Sequence, residues 1–248
     1  MKSTFVKPKF RDNTNSRVGL VALSTDFSIE KDFNSIFLNL PIDLFVNRLP
    51  FYNPLTNENL IKMTEKLTEV TESILPNQTL DAVAYGCTSG TIAAGINKIT
   101  DKIRLAKPNC KVTTPITSAV NALKQLSLRK ISVFTPYPQP INEKVINYFK
   151  NESFDIQSFA SFNLESDLEI GKIDPKYLLE TLSKMDMVNA EALFISCTAL
   201  PAFKIIQELE NKTKKIVLSS NQVLIWDSIR SVGYASPIEG YGKLLRKN

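Results

Sequence analysis

The sequence contains no histidine, only three cysteines and no long hydrophobic run. Without histidine, Ser-His-Asp and Cys-His catalysis are excluded, and the commonest metal ligand is missing. The three cysteines lie far apart, so they give neither a CxxC zinc pattern nor a disulfide framework. If the protein is an enzyme, its acid–base chemistry must therefore use Cys, Asp, Glu, Lys or Tyr.

Charge and hydropathy exclude further classes. No segment approaches the ~18 apolar residues of a membrane span, and residues 1–16 lack the apolar core of a secretory signal. The net charge is +5, but the basic residues are dispersed, without the Lys/Arg run of a nucleic-acid patch. We therefore expect a cytoplasmic protein with neither a membrane nor a nucleic acid as its partner.

Short apolar runs alternate with longer helical patterns, which predicts parallel sheets covered by helices on both faces. In the first half the predicted strands are 18–23, 42–46, 82–86 and 111–113, and the predicted helices are 60–75 and 91–105. In the second half the predicted strands are 131–134, 155–159, 193–196 and 216–218, and the predicted helices are 141–149, 177–187 and 202–209.

The two halves repeat one pattern, because each carries a Cys-Thr pair where its third strand ends. We interpret this repeat as a pseudo-twofold α/β duplication with a parallel four-stranded sheet in each half. The predicted first half comprises residues 1–115 with 221–248, and the predicted second half comprises residues 116–220. A helix at 117–126 would link the halves, and the segment from about residue 220 would pack back on the first half.

Cys87 and Cys197 are the strongest candidates for chemistry, because ligands of open parallel sheets bind beyond the carboxyl ends of the strands. We predict that each cysteine begins a helix, whose N-terminus would lower the thiol pKa and hold a carboxylate or enolate oxygen. Thr88, Ser89 and Thr198 would add hydroxyl donors. The alternative for any single cysteine is a small buried hydrophobe.

Two such thiols face to face permit two reactions. One thiolate can remove a proton beside a carboxylate while the other thiol returns a proton from the opposite side, which inverts the centre. Alternatively, a thiolate adds to a double bond, the bond rotates, and the adduct collapses to the other geometric isomer. Cys110 enters a strand at the opposite end, so we expect it to be structural or inert.

Seven motifs stand in order along nearly the whole chain: RVGLV (17–21), YGCTSG (85–90), TTPIT (113–117), VFTPY (133–137), FISCT (194–198), SSNQVLIW (219–226) and YGK (241–243). Their order and spacing resemble the Asp/Glu racemase superfamily, in the branch of maleate cis-trans isomerase, arylmalonate decarboxylase and the ectoine-utilisation proteins. The resemblance implies two Rossmann-like halves, an active site in the cleft between them, and no cofactor.

The resemblance also implies roles for individual residues. The decarboxylases keep only the second-half cysteine, whereas this chain has both, which favours isomerisation or racemisation over decarboxylation. Tyr137 matches a site tyrosine whose hydroxyl contacts the substrate, with a capping aromatic as the alternative. Thr88, Ser89, Thr198 and Ala199 complete this part of the predicted substrate-binding set.

Asp26 departs from the pattern of the maleate isomerases, which resemble Ser-Ser-Asn-Thr after the first strand. An aspartate in the site would repel a second carboxylate and attract an ammonium or amide N–H, which favours an amino-acid-like substrate such as an ectoine-degradation intermediate. The alternative is that Asp26 caps the next helix. Arg48 could clamp a carboxylate or lie on the surface, and the loop 163–167 could close over the site.

The sequence thus favours a cofactor-independent, two-cysteine isomerase or racemase of a small anionic or zwitterionic carboxylate, and it is compatible with a homo-oligomer. One alternative is a maleate-type cis-trans isomerase that works through a covalent cysteine adduct. The others are an arylmalonate-decarboxylase-like enzyme and a non-catalytic small-molecule-binding protein. The exact substrate, its stereochemistry and the resting thiolate stay open.

Overall fold

Two parallel four-stranded sheets form the framework of the computed structural model, which describes residues 3–10 and 14–247. The first sheet contains β1 (Ser16–Leu23), β2 (Ile42–Leu49), β3 (Ala82–Tyr85) and β4 (Lys111–Thr113). The second contains β5 (Lys130–Thr135), β6 (Asp155–Ser161), β7 (Ala192–Ile195) and β8 (Ile216–Ser219). The strand orders β2-β1-β3-β4 and β6-β5-β7-β8 match, which confirms the predicted pair of similar α/β halves.

Helices flank both sheets. The first six are α1 (Ile29–Phe37), α2 (Asn57–Lys62), α3 (Leu67–Glu72), α4 (Thr88–Ala94), α5 (Ile96–Ala106) and α6 (Pro115–Gln125). The others are α7 (Gln139–Asn151), α8 (Asp167–Ile170), α9 (Pro175–Ser183), α10 (Ile206–Thr213), α11 (Ser220–Ser231) and α12 (Lys243–Arg246). Local sequence sets several starts: Pro115 and Pro175 occupy first-turn positions whose N–H needs no helical partner.

Two of the predicted helices are interrupted. The pattern at 60–75 divides into α2, a 3-10 turn at Met63–Lys66 and α3, and the turn buries Met63 and Thr64. The pattern at 91–105 breaks at Gly95, which adopts a φ of +84°. A left-handed φ is inexpensive only for glycine, so Gly95 ends α4 and lets α5 start in a new direction.

The central strands bring equivalent loops together at one edge of each sheet. Val21 pairs with Tyr85 near the ends of β1 and β3, and Phe134 pairs with Ile195 near the ends of β5 and β7. The loops that follow these strands are therefore neighbours within each half, as expected at the carboxyl edge of a parallel sheet.

The final long helix, α11, packs against β3 and β4 of the first sheet as well as against α6. The hydroxyls of Ser228 and Thr113 share a hydrogen bond of 2.9 Å, and the Ser118 hydroxyl donates to Asp227 Oδ2 at 2.7 Å. These contacts place α11 against the first half, whereas α12 packs against β8 of the second sheet and the Lys243 N–H donates to Glu210. The division of the chain into two halves stays a prediction. Residues 1–2, 11–13 and 248 of the predicted first half lie outside the described residues.

Within residues 3–10 and 14–247, no helix has both the length and the apolar character needed to cross a bilayer. The expected cytoplasmic location and the homo-oligomer stay predictions.

Candidate active site

Cys87 lies in the turn between β3 and α4, with an extended backbone (φ −145°, ψ 113°). Its side chain caps α4, because the Gly90 N–H donates to Sγ at 3.2 Å. The Ser89 hydroxyl lies 3.9 Å from the same sulfur. The prediction that Cys87 precedes a helix is confirmed, and Ser89 lies beside the thiol as expected.

Cys197 follows β7 with a different backbone, at a φ of +88°, a region that non-glycine residues rarely occupy. Residues 198–202 are irregular, and the next regular element is a 3-10 turn at Phe203–Ile205, followed by α10. The prediction that Cys197 begins a helix is therefore wrong. Pro201 supplies the physical reason, since proline disfavours the helical conformation for the residue before it.

Direct hydrogen bonds hold the two cysteine loops against each other. The Thr198 hydroxyl donates to the carbonyl oxygen of Gly86 at 3.1 Å, so the residue after Cys197 contacts the residue before Cys87. The Ser28 hydroxyl donates to the carbonyl oxygen of Ala199 at 3.0 Å. Both predicted cysteines thus lie at one junction between the halves.

Two of the predicted hydroxyl donors are already engaged within the protein. Thr88 Oγ1 shares a hydrogen bond of 2.9 Å with Ser220 Oγ, and the proton of the Thr198 hydroxyl is directed to Gly86. In this arrangement these hydroxyls stabilise the junction instead of facing a substrate. Their predicted contacts with a substrate stay predictions.

The Tyr137 hydroxyl lies close enough to both thiols to feel their charges. Tyr137 is buried after β5, and the Ser196 hydroxyl donates to its Oη at 3.4 Å. Burial raises the pKa of Tyr137 well above its usual value, and the nearby charges of Cys197 and Cys87 raise it further. Of the two thiols, the Tyr85 hydroxyl lies near Cys87 only. Burial raises the pKa of Tyr85 most, and the charge of Cys87 raises it further.

Asp26 caps the start of α1 with only one of its carboxylate oxygens. Oδ1 accepts the N–H groups of Ser28 at 2.8 Å and Ile29 at 2.9 Å. The capping alternative is thus realised, although it leaves Oδ2 without a hydrogen-bond partner among the described residues. Burial raises the pKa of Asp26 above its usual value, against the lowering effect of its backbone hydrogen bonds.

Arg48 holds the loop that carries Asp26. Nη1 donates to the carbonyl oxygens of Leu23 at 3.0 Å and Asp26 at 2.9 Å, while Nη2 pairs with Glu30 at 2.7 Å. All of these partners belong to the protein, so the guanidinium positions this loop in the present arrangement instead of reaching toward the thiols.

Two further buried carboxylates, which sequence reasoning missed, accompany Asp26. Asp32 accepts a hydrogen bond of 2.7 Å from Asn221 Nδ2, and Asp167 accepts one from the Thr25 hydroxyl. Burial raises the pKa of Asp32 to about 7 and that of Asp167 to about 6. The signal for Asp32 was a charged residue on the apolar face of α1, and Asp167 ends the loop expected to close over the site.

Burial determines the state of both thiols. Burial raises the pKa of Cys87 to about 12, together with the charges of Asp167 and Asp26 and against the lowering effect of the Gly90 N–H. The pKa of Cys197 rises well above its usual value for the same leading reason. The expected lowering of the thiol pKa is therefore wrong, because a single backbone N–H does not offset desolvation beside carboxylates.

A cavity of about 330 Å³ lies on the Asp32 side of this junction. Its lining includes Phe27, Asp32, Phe203 and the two lysines Lys31 and Lys204. Both lysines lower the pKa of Asp32, so the lining of the cavity carries positive charge beside this carboxylate. Cys110 lies apart from this region, buried before β4, as expected.

The fold and the site define a class of α/β protein in which two similar halves each contribute one cysteine to a shared junction. The chain belongs to the arylmalonate decarboxylase family, whose family model matches residues 56–245. This match confirms the predicted place in the Asp/Glu racemase superfamily.

Relatives of known activity extend the comparison. Maleate isomerase of Geobacillus stearothermophilus is 24% identical over 243 residues, which are 92% of this chain and 96% of the relative. Arylmalonate decarboxylase of Bordetella bronchiseptica is 24% identical over 135 residues, which are 53% of this chain and 56% of the relative. The longer match thus extends over both halves of the present chain.

Solved structures confirm the fold. A maleate isomerase from Pseudomonas putida S16 with maleate gives a TM-score of 0.85 at 19% identity, covering 94% of this chain and 98% of that one. A maleate cis-trans isomerase from Nocardia farcinica with a covalently bound succinylcysteine intermediate gives 0.85 at 20% identity, covering 94% and 99%.

Proposed function

We propose that this protein is a cofactor-independent cis-trans isomerase of a small unsaturated carboxylate and that it works through a covalent cysteine adduct. The observation that carries this proposal is the pair of buried thiols, Cys87 and Cys197, at equivalent strand ends beside the Tyr137 hydroxyl. Maleate isomerases among the relatives and a succinylcysteine intermediate in one of them support the adduct route over racemisation.

In the proposed mechanism Cys87 is the nucleophile. Its thiolate adds to one alkene carbon, which forms a C–S bond and moves the alkene electron pair to the neighbouring carbon and its carboxylate. Cys87 begins a helix whose Gly90 N–H donates to its sulfur and favours the thiolate, whereas Cys197 begins no helix. This difference assigns the two sulfurs to different roles, as acid–base pairs require.

Cys197 is the proposed proton donor. Its thiol protonates the carbanion, the former double bond rotates as a single bond, and the Cys197 thiolate then takes the proton back. The electron pair returns to the alkene as the C–S bond breaks, so Cys87 leaves as a thiolate and no net proton is consumed. The Tyr137 hydroxyl, which lowers the pKa of Cys197, would stabilise the thiolate formed in this step.

A second candidate is racemisation or epimerisation of an amino-acid-like carboxylate. Asp26 favours it, because a buried carboxylate oxygen without a partner suits an ammonium or amide N–H. The two thiols would then exchange protons at one carbon without forming a C–S bond. Decarboxylation is disfavoured by the presence of both cysteines, and the link to ectoine degradation stays a prediction.

The deciding experiment incubates the native enzyme with maleate or its monoamide in deuterated buffer. Nuclear magnetic resonance follows the trans product, and intact-protein mass spectrometry with peptide mapping follows the adduct. We expect trans product and a single adduct on Cys87. At pH values below the pKa of Cys87, the rate of adduct formation should rise about tenfold per pH unit, because the fraction of Cys87 present as thiolate rises by the same factor.

Cys110→Ser is the matched control, since this third buried cysteine lies outside the junction and its replacement should leave both readouts unchanged. The proposal fails if neither compound yields trans product or an adduct. Deuterium uptake at the α-carbon of amino-acid derivatives, without any adduct, would instead establish the second candidate.

A further inference from the structure

Asp26 has a carboxylate oxygen that the protein itself does not satisfy. Oδ1 accepts two backbone N–H groups, from Ser28 and Ile29, whereas Oδ2 is buried with no hydrogen-bond partner in the described part of the chain. The whole residue is only 1% exposed. Since a buried acceptor without a donor is costly, such an atom indicates a place where a ligand donates.

This carboxylate belongs to the catalytic junction. The charge of Asp26 acts on both Cys87 and Cys197. The Thr198 hydroxyl lies close enough to lower the pKa of Asp26, although its proton is directed to the Gly86 carbonyl oxygen. Asp26 is also linked there through the backbone, because the neighbouring Ser28 donates to Ala199. A molecule held between the two sulfurs would therefore meet this side chain.

The side chains around Asp26 are mainly further acceptors, and the cation that acts on its charge, Arg48, is already bound to Leu23, Asp26 and Glu30. Asp167 and Asp32 lie close enough to interact with its charge, and none of the ion pairs found within residues 3–10 and 14–247 involves these three carboxylates. Asn221, which donates to Asp32, has a buried Oδ1 that also lacks a donor. This side of the junction thus needs hydrogen-bond donors.

A second carboxylate on the substrate would bring another acceptor to a region that already contains several. An amide or ammonium group would instead supply N–H donors to Asp26 Oδ2, and charge-assisted hydrogen bonds of this kind are among the strong ones. Arg48 cannot take this role in the present arrangement, because its guanidinium is bound to Leu23, Asp26 and Glu30.

We propose that Asp26 selects a substrate with one carboxylate and, at its other end, an N–H-bearing amide or ammonium group, in place of a dicarboxylate. This inference rests on the proposed function for its reaction, but it concerns recognition, so binding alone can test it. Asp26 is then a specificity-determining residue that contacts the substrate directly.

The test measures binding of two saturated analogues that cannot form an adduct, succinate and its monoamide, by calorimetry at about pH 8.5. We expect the native enzyme to bind the monoamide at least about tenfold more tightly. In Asp26→Asn the side-chain amide still offers Oδ1 to Ser28 and Ile29, and its N–H₂ faces the ligand. This variant should reverse the preference toward succinate.

Asp227→Asn is the matched control, because it makes the same change at a carboxylate that Ser118 and Asn121 satisfy away from the thiols. Its binding ratio should equal that of the native enzyme. The inference is overturned if the native enzyme binds neither analogue, if it prefers succinate, or if Asp26→Asn leaves the ratio unchanged. Since these ratios need no turnover, loss of isomerase activity and failure of this inference are separate results.

Discussion

The segments around Cys87 and Cys197 begin alike and then diverge. In both, the residue before the cysteine donates its N–H to the neighbouring central strand, Gly86 to Val21 at 2.9 Å and Ser196 to Phe134 at 2.8 Å. After that point Cys87 continues into α4, whereas Cys197 turns through a left-handed backbone into an irregular stretch.

The sheet therefore determines where the two sulfur atoms lie, whereas the turn after each cysteine determines which groups contact its sulfur. The sulfur of Cys87 accepts the Gly90 N–H from its own helix. The sulfur of Cys197 depends on the Tyr137 hydroxyl and the Ala199 N–H, both of which lower its pKa without offsetting its burial. A symmetric scaffold thus holds two thiols that are not interchangeable.

Replacing the cysteines one at a time should break the symmetry most strongly. Cys87→Ser should lower turnover by at least about 1,000-fold and abolish the adduct, because the C–S bond needs this sulfur. Cys197→Ser should lower kcat by about 100- to 10,000-fold, the usual contribution of a general acid. Single-turnover kinetics and intact-protein mass spectrometry measure both effects.

In Cys197→Ser the adduct on Cys87 should still be detectable, since only proton delivery is lost. Equal behaviour of the two variants, or an adduct that persists in Cys87→Ser, would contradict the assigned roles.

The third residue after the cysteine also differs between the halves, being Gly90 in the first and Leu200 in the second. Gly90→Ala tests whether Cys87 needs the absence of a side chain at this position. A methyl group on Gly90 would lie 2.7 Å from the Tyr85 hydroxyl and 2.8 Å from Cys87 Sγ. We expect adduct formation to slow by about tenfold or more, because small displacements of a reacting atom are costly. Stopped-flow or quenched mass spectrometry gives this rate.

Gly19→Ala is the control for crowding. Its methyl would lie 2.7 Å from Leu80 Cδ1, inside the first sheet and apart from the thiols. It should cost about 1–3 kcal/mol of stability while the rate of adduct formation stays native. Equal slowing in both variants would mean that general crowding, and not the position of Cys87, limits the reaction.

The last effect concerns stability and comes from the buried carboxylates. Asp26 and Asp32 come from the first half and Asp167 from the second. The folded-state pKa of Asp32 is about 7, above its ordinary value of 3.8, so the folded protein binds more protons than the unfolded chain between these values. The free energy of unfolding should therefore fall as the pH rises from about 4 to about 7.

Urea denaturation at several pH values measures this slope, which one group can change by up to about 1.4 kcal/mol per pH unit. Asp32→Asn should flatten it, while the exposed Asp101→Asn should leave the native profile intact. A profile that stays equally steep in Asp32→Asn would show that Asp32 is ionised in the folded protein.

The strands and both cysteines could be predicted because they depend on local patterns. Buried parallel strands are near-continuous apolar runs, and each Cys-Thr pair follows one of them. The environments of the thiols depend on contacts distant in sequence, such as Asp167 with Thr25, so the raised thiol pKa values could not be read from the chain. The irregular segment after Cys197 had a local signal in Pro201, which the helical pattern at 202–209 obscured.

The packing of α11 has a consequence for how the chain matures during synthesis. This helix is the last long one, yet it covers β3 and β4 of the first sheet, where Ser228 meets Thr113. Those strands leave the ribosome more than a hundred residues before their covering helix. The packing of β3 and β4 can therefore be completed only after more than a hundred further residues have been made.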